Sequence, residues 1–110
     1  MKLILEDLIS FCSKLERYIK DMEKKEFQKN ELVIDAVLRN LELIGEASKR
    51  LSDDFKNRNP QLPWKKIIGL RNIVIHAYSD VDIDIIWDII KKNIPETKDI
   101  IKEIYEKEYS

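Results

Sequence analysis

The 110-residue chain is poor in the residues that build turns, crosslinks and metal sites: 2 glycines, 3 prolines, 1 cysteine and 1 histidine. With Cys12 alone, no intrachain disulfide and no cysteine-rich zinc site can form. So few glycines and prolines leave too little turn chemistry for a β-sandwich. No stretch approaches the ~20 apolar residues of a membrane span. The short apolar run within residues 1–5 meets Glu6 and Asp7 too soon for a signal peptide, so a soluble cytoplasmic protein with no membrane association is expected. An excess of one charge is also missing, with 20 Lys and Arg against 21 Asp and Glu. Proteins that coat nucleic acid carry a clear basic excess, so any nucleic-acid contact here must be local. No H-E-x-x-H, paired histidines or clustered carboxylates offer a catalytic metal site.

What remains is a chain of long amphipathic stretches. Its length suits one domain over residues 1–110 with a single core. The periodicity predicts an all-α, up-and-down bundle of four to five helices. Ile4, Leu8, Phe11, Leu15, Tyr18 and Met22 recur in steps of three and four, which predicts a first helix over residues 2–24. Residues 23–26, all charged, break that pattern and read as a loop. Asn30 is the expected N-cap of a second helix reaching Leu51, with Val33, Val37, Leu41, Ile44, Ala47 and Leu51 as its stripe. Gly45 inside it costs about 1 kcal/mol relative to Ala, and close approach of another helix is the simplest reason for it.

Residues 52–63 have the composition of a loop, and Pro63 suits the start of a third helix. That helix carries Ile67, Leu70, Val74 and Ala77 on one face and Ile68, Ile73 and Ile75 on others. A helix apolar nearly all round is buried on more than one side, and in so small a domain the second burying surface is expected to be another copy of the chain. Ser79, Asp80 and Asp82 offer N-caps for a fourth helix with Ile83, Ile86, Trp87 and Ile90. Pro95 opens a final segment with Ile100, Ile101, Ile104 and Tyr105, either the same helix, kinked, or a new one. Trp64 and Trp87 read as core.

Within the third helix, Arg71-Asn72-Ile73-Val74-Ile75-His76-Ala77-Tyr78 places chemically capable groups in an apolar setting. A lone histidine in such a place is most often structural. At ~100° per residue, Arg71 and Tyr78 stack on one face, and Asn72 can bond and orient His76. Arg71 and His76 lie about 140° apart on the same helix. Three arrangements would bring them together: an unwound helix near His76, an arginine that reaches around, or two copies meeting across an interface.

Arginine, four residues, histidine, one residue and tyrosine resembles the R-x4-H-x-Y motif of HepT proteins in the HEPN superfamily. The flanks are similar as well: Ile44-Gly45-Glu46-Ala47 before the motif, Pro63-Trp64-Lys65-Lys66-Ile67 at the helix start, and Val81-Asp82 through Trp87 after it. The resemblance implies a dimeric helical fold and a metal-independent, cofactor-free RNA endonuclease that leaves a 2′,3′-cyclic phosphate. It implies a toxin whose partner, an MntA-like nucleotidyltransferase antitoxin, silences it by transferring AMP to Tyr78. Arg71 and His76 would then be catalytic. Arginine grips phosphate in a fixed fork, and histidine is the side chain suited to moving protons near neutral pH. Ser79-Asp80 departs from the pattern in being more acidic.

Glu46 could enter the same cleft and bond Arg71 or His76, against the plainer reading of a solvated helical glutamate. Lys49-Arg50, Lys65-Lys66 and Lys91-Lys92 are the basic pairs best placed to steer RNA, or simply solvated faces. A scaffold that only holds a nucleotidyltransferase is the competing function, and a purely structural helical dimer a third.

Overall fold

A computed structural model describes residues 1–77 and 82–109, all in helices, turns and short connections. The backbone is the expected all-α bundle. It consists of α1 (Lys2–Tyr18), α2 (Lys24–Lys29), α3 (Glu31–Lys49), α4 (Asp53–Arg58), α5 (Trp64–Ile68), α6 (Leu70–Ala77), α7 (Ile83–Asp88), a π-helical turn (Ile89–Asn93) and α8 (Ile94–Tyr109). Four rods dominate: α1, α3, α5 with α6, and α7 continuing through the π turn into α8. The expected caps at Ser79 and Asp80 lie outside the described residues. Asp82 caps α7 by accepting from the backbone of Asp84 and Ile85.

α3 is the central rod, packing on α1, α2, α5 and α6. Asn30 caps it as expected, its side chain accepting from Val33 N–H at 3.1 Å. Val37, Leu41 and Ile44 are fully buried, together with Leu5, Leu8 and Leu15 of α1 and Ile101 of α8. α8 closes the bundle antiparallel to α1. Lys98 meets Glu16 at 2.9 Å and Tyr105 donates to Glu6 at 3.1 Å.

Three segments differ from the sequence expectation. α1 stops at Tyr18 rather than near Lys24, because Asp21 adopts a left-handed backbone, φ 60°, which aspartate tolerates better than most residues. The charged run after it is not a loop but the start of α2: Glu26 reaches back to the Glu23 N–H at 3.4 Å, and Phe27 is buried against Trp87, ring centroids 5.1 Å apart. Residues 52–63 likewise contain a helix, α4. Ser52 caps it through Phe55 N–H at 3.1 Å, and Phe55 is buried edge-on to Trp64. Helices this short have marginal intrinsic stability, so each exists because one aromatic side chain docks it to the core.

Asn59, which ends α4, is fully buried. Its amide donates to the Phe55 carbonyl at 2.9 Å, and its side-chain oxygen accepts from Lys107 of α8 at 2.8 Å. Its backbone carbonyl takes the Trp64 indole N–H at 2.8 Å. One residue thus ties α4, α5 and α8 together.

Pro95 does not begin a new helix. A proline inside a helix removes one N–H and crowds the preceding turn, and here the chain widens before it. Ile94 N–H donates to Ile89, five residues back. The π turn lets α7 and α8 run as one rod through the proline.

Candidate active site

Gly69 divides α5 from α6 while keeping a right-handed backbone, so the two short helices remain roughly in phase. Ile67, Leu70 and Val74 turn inward, Val74 only 1% exposed. Asn72 and His76 face outward. Ile73 and Ile75 are also exposed, at 36% and 54%, so the far side of this nearly all-apolar helix is uncovered within one chain.

Arg71 sits where α6 meets α3, and Gly45 makes that meeting close. A Cβ at Gly45 would stand 3.1 Å from the Ile68 carbonyl oxygen and 3.2 Å from the Arg71 amide nitrogen. The expected reason for a glycine inside this helix is therefore present: another helix's backbone occupies the space. The next residue, Glu46, brings Oε1 to 4.0 Å from Arg71 Nε, with the side chains 54% (Arg71) and 45% (Glu46) exposed. A loose, solvated pair of this kind contributes at most about 1 kcal/mol. It orients the guanidinium from its Nε side without neutralising it in a buried pocket.

Among the expected site residues, the fold brings Glu46 to Arg71. It does not bring Arg71 to His76. α6 is regular from Leu70 to Ala77, so the helix does not unwind between them, and the break at Gly69 precedes both. Asn72 lies one turn before His76 on the exposed side. Tyr78, with Ser79 and Asp80, lies outside the described residues.

Among the described residues, two recesses that flank this rod carry no signal in the sequence. An apolar groove of about 360 Å³, lined by Ile44, Leu70, Ile73 and Ile89 among others, runs along one flank. A wider cleft of about 600 Å³ opens on the other, between α4 and α5. Lys65 lines the cleft and Lys66 the groove, so the pair that looked like one cluster serves two surfaces. Only a fold that places α4 beside α5 reveals this, and α4 read as a loop. Lys91 is directed over the Trp87 ring at 5.3 Å, a local cation–π contact. Trp64 and Trp87 are 7% and 8% exposed, core residues as expected.

Among the described residues no three His, Cys, Asp or Glu side chains cluster as metal ligands. No described helix is long and apolar enough to cross a membrane.

The chain matches the family described as Ribonuclease HepT-like over residues 8–104. A Methanocaldococcus jannaschii protein named "Putative RNase MJ1380" is 39% identical over 98 residues, covering 89% of this chain and 90% of that one. A Caldanaerobacter subterraneus subsp. tengcongensis protein, "Putative RNase TTE0752", is 39% identical over 104 residues, covering 94% and 93%. The "Probable ribonuclease HepT" of Thermococcus cleftensis is 36% identical over 94 residues, covering 86% of each chain. No solved structure matches.

Proposed function

The chain belongs to the HepT-like ribonuclease family, and on that premise we propose that it is a metal-independent RNA endonuclease, the toxin of a toxin–antitoxin pair, acting in the cytoplasm as a homodimer with its active site between the copies. One observation supports this most. Arg71 and the chain's only histidine stand on the open side of α6, while Leu70 and Val74 hold the other side in the core. A histidine kept for packing belongs on the side of Val74.

In the reaction a base takes the 2′-hydroxyl proton and the 2′-oxygen attacks phosphorus. The bond from phosphorus to the 5′-oxygen breaks, and an acid protonates that leaving oxygen. The products are a 2′,3′-cyclic phosphate and a 5′-hydroxyl. Arg71 bears the charge on the phosphoryl oxygens, with Glu46 holding its Nε side. His76 moves the protons, with Asn72 as its orienter. One imidazole does not serve both proton transfers in one step, and a second copy supplies another. The 140° between Arg71 and His76 favours the same arrangement, because one copy's arginine can then face the other's histidine. Ile73, which lines the apolar groove, and the exposed Ile75 give such a dimer something to bury.

Seven positions separate Arg71 from Tyr78 in the sequence, close to two helical turns, and on that spacing an AMP phosphodiester on Tyr78 would compete for the guanidinium and obstruct the cleft. We assign the silencing of this chain to that modification by an MntA-like nucleotidyltransferase.

Cleavage of total RNA by wild type, His76→Ala and Arg71→Ala tests the assignment. His76→Ala should cut ~10²–10⁴-fold more slowly, and ATP with the nucleotidyltransferase should silence wild type with a mass gain at Tyr78. Cleavage that ignores both substitutions would leave a scaffold that merely holds its partner.

A further inference from the structure

We infer that the cleft between α4 and α5 is a second contact for the RNA strand, holding a phosphate beyond the scissile linkage; this rests on the ribonuclease reading above. Leu62, Trp64 and Ile68 form the cleft's apolar floor, while Lys56, Asn57 and Lys65 stand at its rim. That is the composition a nucleotide needs: apolar surface for sugar and base, ammonium groups for phosphate. Trp64 is too buried to act as a stacking platform, so the lysines carry the contact.

Lys56 is held in place. Its side chain is 16% exposed, and it pairs with Asp53 at 3.6 Å, itself 96% exposed. So solvated a carboxylate contributes little, and a phosphate oxygen can replace it at the ammonium. The cleft sets two lysines against one aspartate in a chain whose formal net charge is −1. It is therefore a local positive site on a mildly acidic molecule, of the kind that steers an anionic strand without general affinity for nucleic acid.

Position links the cleft to the proposed active site. Ile68 lines the cleft, and its carbonyl abuts Gly45, the glycine against which the Arg71 backbone also packs. Trp64, Ile68, Arg71 and Ile75 recur at steps of four, three and four, so Arg71 continues the stripe that borders the cleft. Lys65 precedes Arg71 by about 9 Å along the helix axis. A strand with its scissile phosphate at Arg71 that follows this stripe toward Trp64 reaches the cleft that Lys65 and Lys56 line. The groove on the opposite flank is walled mostly by isoleucine and leucine and suits apolar packing instead.

Fluorescence anisotropy with an uncleavable 2′-O-methyl oligoribonucleotide tests this apart from catalysis. Lys56→Gln/Lys65→Gln should raise Kd about tenfold or more and make the slope of log Kd against log salt shallower by about 1.4, roughly 0.7 for each lost contact to a single strand. Lys20→Gln/Lys102→Gln, which removes the same charge elsewhere, should change Kd no more than about twofold. Asp53→Asn should tighten binding. The cleft assignment is overturned if the two double variants bind alike, or if Asp53→Asn weakens binding. His76-dependent cleavage with binding indifferent to Lys56 and Lys65 would sink the cleft alone. Lysine-dependent binding without cleavage would sink the ribonuclease reading and leave the cleft.

Discussion

Gly45→Ala sets helix propensity against packing at one atom. In an isolated helix the substitution stabilises by about 1 kcal/mol. Here the new methyl would lie 3.1 Å from the Ile68 carbonyl oxygen, 3.2 Å from the Arg71 nitrogen and 3.5 Å from Arg71 Cβ. These are mostly backbone atoms, which cannot rotate aside, so α5 and α6 must move away from α3 by a few tenths of an ångström. Overpacking of this kind costs about 1–3 kcal/mol, leaving a net loss of about 1 kcal/mol. For a domain near this size, that lowers Tm by about 5 °C. Activity should fall further than stability, since the displaced residue is Arg71 itself and a misplacement of about 1 Å can cost ~10²-fold. We expect roughly tenfold slower RNA cleavage at a temperature where the variant is fully folded, read beside a thermal melt. A Tm raised by about 5 °C with full activity would show that the helices do not meet as closely as described.

Asn59→Ala removes the buried amide that joins the Phe55 carbonyl to Lys107; stability should drop by about 1–3 kcal/mol, seen as a lower midpoint in urea. An unchanged midpoint would mean α4 needs no such tie. Burial, and secondarily Glu16, pushes the Cys12 thiol from 9.0 up to about 12. Between those values the unfolded chain gives up this proton while the folded chain keeps it, so stability falls as pH rises from 9 toward 12 and is untouched below 9. Wild type should lose more urea resistance between pH 8 and pH 10.5 than Cys12→Ala does; equal losses would remove Cys12 as the cause.

The sequence made the long rods legible because each carries its own apolar stripe, and the Asn30 cap because capping is local chemistry. Gly45 was legible too, since a glycine in a strong helix asks for a neighbour. α2 and α4 were hidden for the opposite reason. Their charged and polar residues say loop, and only Phe27 on Trp87 and Phe55 on Trp64, contacts distant in sequence, make them helices. Pro95 posed a choice between a kink and a new helix, and the widened turn before it depends on hydrogen bonds that no residue pattern announces. At the site, the angle between Arg71 and His76 followed from counting residues, and the regular α6 keeps it. Glu46 was open to either Arg71 or His76 as partner, and that it meets Arg71 follows from the close approach at Gly45, which sequence spacing does not supply.

α8 has a bearing on how the molecule reaches its fold. Its side chains find partners far back in the chain: Tyr105 joins Glu6 across 99 positions, Arg58 joins Glu108 across 50, and Lys107 joins Asn59 across 48. Gly45 and Arg71, by contrast, are joined by a much shorter loop. Loop-closure entropy weighs on the longer connections. The α3–α6 half that carries Arg71 and His76 can therefore associate early, and α8 acts as the latch whose arrival makes the assembly cooperative.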